Sequence, residues 1–311
     1  MRRGLNREEI LLAVESLAFW PVWRWYVHRL SDQSDEAWGI VALVTAVLFA
    51  FRGVTLSGRR EYAEYAEITG NAEHAEITEH AERQTDFSTP FRVFRVFQGS
   101  GLWLPAILLI CYSLSYHFLS PLPRAAIAIT AIAATISAIR FNQRLHLGVW
   151  GLLLLALPVV ASLQFYLGFP MRAVVAAIAA PMLQLNGFAV VAEGACLNWN
   201  GDLILIDAPC SGVKMLWTGF YLTFTLACYY QLNAKRTALA CAATFVAIII
   251  GNTFRAAALF YVEAGATKIS FPNWTHEGVG VMVFAVTAIA IAWTARKINQ
   301  AEEWGVGSGE W

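Results

Sequence analysis

Apolar residues along this chain fall into long unbroken blocks, without the short alternations or half-faces of a soluble domain. The blocks cover roughly 8–30, 37–56, 100–119, 123–140, 146–168, 211–232, 237–263 and 277–295, with one further apolar stretch at 170–192. Each of the eight reaches about 18 residues or more, the length that crosses a hydrocarbon core of about 30 Å. Backbone amides in lipid must bond within their own segment, so the blocks are expected as helices. The pattern predicts an all-α fold: a polytopic membrane helical bundle of about eight transmembrane helices, plus one interfacial or re-entrant helix. Composition agrees, with 58% hydrophobic and 14% charged residues, where soluble domains carry about 25% charged.

Lys and Arg in short loops set the orientation. Arg2, Arg3 and Arg7 precede the first block, and Arg52, Arg59 and Arg60 close the second. Arg92 and Arg95, Arg140 and Arg144, Lys235 and Arg236, and Arg296 and Lys297 follow at later ends. All of these are cytoplasmic together only if 170–192 does not span. Pro170, Pro181, Gln184 and Asn186 also make that stretch a poor lipid-facing helix, so it is expected on the outer side. Both termini then lie inside. Glu15 interrupts the first block and no small-residue cleavage site follows, so this block is read as a membrane helix and not a removed signal peptide.

The chain divides into N-terminal transmembrane helices (1–56), a cytoplasmic polar loop (57–98), central transmembrane helices (99–168) and a core (169–311). This core holds the outer helix, an extended segment and the last three transmembrane helices. The polar loop contains a two-copy repeat, AEITGNAEH at 66–74 and AEITEHAER at 75–83. Two copies cannot build a solenoid, and His74 and His80 read as part of a solvated charged stretch. Net charge is zero, so nothing suggests nucleic acid. The five cysteines lack metal-ligand spacing. Cys111, Cys228 and Cys241 lie inside apolar blocks as small hydrophobes, and Cys196 is read as a bystander.

Three polar features fall on the outer side. The first is Asp207-Ala208-Pro209-Cys210-Ser211-Gly212, directly before a span and after an extended stretch at 200–207. Pro209 suits helix entry, and a cysteine near a helix start gains thiolate character from free amides and the dipole. The second is Gly251-Asn252-Thr253-Phe254-Arg255. Asn252 and Arg255 share one helical face, and an arginine in an apolar span should face a polar pocket and not lipid. The third is His276, in Trp274-Thr275-His276-Glu277-Gly278-Val279-Gly280. A thiolate that attacks a carbonyl, an imidazole that protonates a leaving amine and a guanidinium that stabilises an oxyanion form a complementary set. Asp207 and Glu277 are candidate orienters of the histidine. Lys214, one turn after Cys210, could lower the thiol pKa or bind a substrate carboxylate; snorkelling is its plainer role. No metal or organic cofactor is implied.

Taken together, the CSG block at 210–212, the N-x-x-R block at 252–255 and the histidine with following glycines at 276–280 resemble the exosortase/archaeosortase family. The resemblance covers roughly 165–295. It implies a membrane cysteine transpeptidase that cleaves a C-terminal sorting signal of secreted proteins through a thioester. It also implies Cys210 as nucleophile, Arg255 as transition-state stabiliser and His276 as acid/base, with Asn252, Lys214, Ser211 and Asp207 supporting. The expected partners are membrane-anchored precursors, the bilayer, and a lipid or glycan acceptor, at the cytoplasmic (inner) membrane with the site facing outward. Pro209, where the family often has alanine, and the polar insert at 57–90 depart from its pattern. Two alternatives stay open: a transporter or assembly protein of an envelope polysaccharide pathway, and a hydrolase without transfer activity.

Overall fold

The computed structural model describes residues 7–31, 38–52, 102–141, 143–206, 212–263 and 275–306. These residues form ten helices and one small sheet. In order they are α1 (Arg7–Ala18), α2 (Trp20–Ser31), α3 (Trp38–Arg52), α4 (Trp103–Ser115), α5 (Pro121–Phe141), α6 (Leu147–Ala156) and α7 (Val160–Leu185). Then come β1 (Val190–Glu193), β2 (Cys196–Trp199), β3 (Asp202–Leu205), α8 (Val213–Tyr229), α9 (Ala234–Glu263) and α10 (Thr275–Val306). Four are long and apolar enough to cross a membrane by length and composition: Pro121–Phe141, Val160–Leu185, Ala234–Val262 and Thr275–Gln300. The polar repeat at 66–83 lies outside the described residues.

The chain forms two compact units, residues 1–22 with 44–146, and residues 23–43 with 147–311. In the first, α5 presents a face of small residues, including Ala125, Ala128, Ala131 and Ala134, all buried. Small side chains let helix backbones approach closely where dispersion, not water exclusion, drives packing. Ser137 donates from its Oγ to the Ala133 carbonyl at 2.6 Å and receives the His146 N–H at 2.8 Å, closing the turn after α5. Glu15 of α1 has a polar neighbour in Thr135 of α5, although one of its carboxylate oxygens is buried without a hydrogen-bond partner.

The first apolar block is not one rod. It breaks at Phe19, which is fully buried against Tyr112 with ring centroids 4.8 Å apart. Pro21 then falls in the first turn of α2, where its missing N–H costs nothing.

A second difference concerns 146–192. The sequence divides this region near residue 169 into a span and an outer helix. The structure divides it at Leu157–Val159, and α7 then runs unbroken through Pro170 and Pro181. Pro158 removes the N–H that the Leu154 carbonyl would accept, and this carbonyl takes the Leu157 N–H at 3.1 Å instead. The next carbonyl, Leu155, accepts the indole N–H of Trp217 at 3.2 Å. A side chain from α8 thus satisfies the broken end. At 1.5 Å per residue, α6 is about 15 Å long and α7 about 39 Å.

The second unit carries α6 to α10 and the sheet. Gly39 of α3 lies directly against the backbone of Ala156, where any side chain would collide. Gly219 of α8 faces Ile248 of α9, and Gly251 of α9 faces Thr287 of α10. The last three helices are therefore seated through glycines. The sheet is an antiparallel meander, β1-β2-β3, joined at its second turn by Asn200-Gly201. Both residues have positive φ, 54° and 92°, as a type I′ hairpin requires. Register pairs Val190 with Trp199 and Leu197 with Ile204. Val190 and Leu197 point inward onto Val175, Ala180 and Leu183 of α7 and Phe260 of α9. Val191, Leu203 and Leu205 point outward and are exposed. The described part of the stretch expected to be extended, 200–206, is thus the last turn and last strand of a three-stranded sheet that begins at Val190.

Candidate active site

The site is built where α7, α8, α9 and α10 converge beneath the sheet. Met171 of α7, Val213, Met215 and Leu216 of α8, and Ile248 of α9 form one buried cluster, with Val283 of α10 against it. The start of α8 sits on this floor. Gly212 precedes the helix with φ +78°, a left-handed conformation that costs an L-residue about 1–2 kcal/mol. Its carbonyl accepts the Leu216 N–H at 2.7 Å and opens the helix. A Cβ at 212 would lie 2.9 Å from the Asn252 amide nitrogen and 3.2 Å from the Met171 methyl. Glycine is required here twice, for its backbone and for its lack of a side chain.

Asn252 is 1% exposed on α9, and its amide packs directly against Gly212. Three residues on, Arg255 is half-buried and about 12 Å short of the helix end at Glu263. Its guanidinium lies on Gly280 of α10, where a Cβ would come within 3.2 Å of Cζ and Nη2 and 3.4 Å of Nε. Gly280 is one turn beyond His276, so the two share a helical face. His276 is half-buried in the first turn of α10. The CSG block's glycine, the N-x-x-R block and the histidine–glycine block are therefore neighbours, and α9 is the element between the other two.

Cys210, Asp207 and Ser211 lie outside the described residues. Gly212, two residues after Cys210, is the nearest described point on the C-terminal side. Lys214 is exposed and lines a shallow cleft with Trp38, Val160, Trp217 and Thr218. That cleft contains none of Asn252, Arg255 and His276. Glu277 is exposed in the first turn of α10. Cys196 is half-buried on β2.

Two residues at this site escape a reading of the sequence. Met171 and Arg172 lie in the apolar stretch of α7, and only the folded chain brings them to the flanks of residues 207–211. An arginine inside an apolar block is the one signal that the sequence offers for them.

The N-x-x-R block thus lies against the glycine of the Cys-Ser-Gly sequence through Asn252 and against the histidine–glycine block through Arg255. The model of the transmembrane exosortase family (Exosortase_EpsH) matches residues 82–293, well over half of the chain, and the protein belongs to that family. No curated protein and no solved structure matches the chain.

Proposed function

We propose that this protein is a membrane cysteine peptidase and transpeptidase that cleaves a C-terminal sorting signal of secreted proteins just outside the cytoplasmic membrane. The observation that carries this reading is the packing of Arg255 on Gly280, one turn from His276, with Asn252 of the same helix face on Gly212. Three successive helices thereby bring Arg255, the first turns of the helix that carries His276, and Gly212, two residues after Cys210, to one end of the bundle.

In this mechanism the Cys210 thiolate attacks the scissile carbonyl. Arg255 stabilises the oxyanion of the tetrahedral intermediate with its permanent positive charge. His276 gives a proton to the leaving amine as the C–N bond breaks. The N-terminal portion stays on sulfur as a thioester. Water, or an amine of a lipid or glycan, then attacks the thioester and gives its proton to the now neutral His276 as the C–S bond breaks and the thiolate leaves. A precursor anchored by its own membrane helix diffuses in two dimensions and meets the sulfur at a fixed depth, which converts membrane anchoring into orientation. On the positive-inside reading, with Lys235, Arg236, Arg296 and Lys297 cytoplasmic, this rim faces outward.

Precursor cleavage in cells tests the reading, with each variant normalised to its amount in the membrane. Cys210→Ala should abolish processing. Arg255→Ala and His276→Ala should slow it by about a hundredfold or more, the usual loss for an oxyanion or acid/base partner. Normal processing by Cys210→Ala would remove the thiol mechanism. Loss in Arg255→Ala alone would favour transport of an anionic substrate.

A further inference from the structure

Arg172 sits mid-way along α7 among apolar residues, half-buried. A cation in such a helix is costly unless its donors are used. Its Nε donates to the Gly168 carbonyl at 3.2 Å, on its own helix, and its Nη1 donates to the Ile206 carbonyl at 3.3 Å. The guanidinium is a rigid planar fork. Anchoring one tine to the helix therefore aims the other. Ile206 is also held from behind, buried at 5% exposure with its N–H on the Ala195 carbonyl at 3.1 Å.

Ile206 is the last described residue before 207–211, and Gly212 is the first after it. Gly212 packs against Met171, the neighbour of Arg172 on α7, and against Asn252 of α9. Two adjacent residues of one helix thus hold both flanks of the segment that contains Cys210. The far flank has a second holder in Asn252.

We propose that Arg172 is a positioning residue for the thiol: by holding the Ile206 carbonyl it fixes where Cys210 stands relative to the start of α8 and to Arg255. This inference rests on Cys210 being the nucleophile. A helix N-terminus and nearby cations favour thiolate only at short range. Loss of the N-terminal tether frees one flank, and the sulfur drifts out of that field toward the ordinary thiol range.

The test is mixed-disulfide labelling of the full-length protein in native membranes with a positively charged, impermeant methanethiosulfonate, in a Cys111→Ser, Cys196→Ser background. The rate at Cys210 is read by mass spectrometry as a function of pH. With Arg172 present, the midpoint should fall below the ordinary thiol value of about 8.5. Arg172→Ala should move the midpoint up by about one unit and slow labelling at neutral pH by about tenfold. Arg172→Lys keeps the cation but offers no planar fork. It should fall between the two, and it is the variant to read if Arg172→Ala does not accumulate. A depressed midpoint indifferent to both substitutions overturns the inference and leaves the thiol mechanism standing. An ordinary midpoint with Arg172 intact sinks both.

Discussion

At the scale of single residues, the site depends on two glycines as much as on the groups that carry charge. Gly280 gives Arg255 a flat bed, and a Cβ there would come within 3.2 Å of the guanidinium. Gly280→Ala requires the flexible end of Arg255 to shift by a few tenths of an ångström, and Gly280→Val requires it to leave. Processing should therefore fall about severalfold with alanine and approach the Arg255→Ala level with valine. Cleavage rates from the same cell assay decide this, and equal rates in both variants would contradict the contact. Asn252 and Arg255 could be read from their spacing, because three residues on a helix is a fixed angular step. Arg172 could not be assigned a partner, because its acceptor is thirty-four residues away and belongs to a loop.

Among the elements, the last three helices were legible to within a few residues, except that α10 continues to Val306. Long apolar blocks bounded by charges leave little choice there. Proline was the poorer guide. Pro170 and Pro181 read as interruptions yet lie inside α7, while Pro158 marks the real break. The difference is a long-range one: Trp217 reaches across to the Leu155 carbonyl, and no local pattern reports that. The sheet was under-read for another reason. Asn200-Gly201 is a strong hairpin signal, but the uneven alternation after it reads as a single extended stretch. Leu197 is 1% exposed between the sheet and the helices beneath it. Leu197→Ala should cost about 2–5 kcal/mol, visible as a lower thermal midpoint in detergent. Its effect on processing should follow from lost protein, with the rate per folded molecule little changed.

For the whole molecule, the open matter is which way the rim faces. The positive-inside rule, applied to Lys235, Arg236, Arg296 and Lys297, predicts the start of α8, the end of α9 and the start of α10 outside. Cys196 on β2 offers a direct check, because it belongs to the sheet packed on that rim. In a Cys111→Ser, Cys210→Ala background, an impermeant thiol reagent should label Cys196 in intact cells. Labelling that appears only after the membrane is opened would invert the topology. Among the described residues, four helices meet the length and hydropathy needed to cross a membrane, where the sequence pattern predicts about eight. Shortening accounts for part of the gap. Proline breaks divide 8–30 and 146–185 into pieces, and α8 has 17 residues.

The Asn200-Gly201 hairpin has a practical side. No heavy atom lies within 4 Å of where a side chain at Gly201 would begin, so the tip projects into open space. Lengthening a surface loop costs only about 0.6 kcal/mol per doubling, and exposed tips tolerate inserted sequence well. An epitope or a small fluorogenic label grafted there would project from the sheet that packs on α7 and α9, giving microscopy a handle on a helical membrane protein.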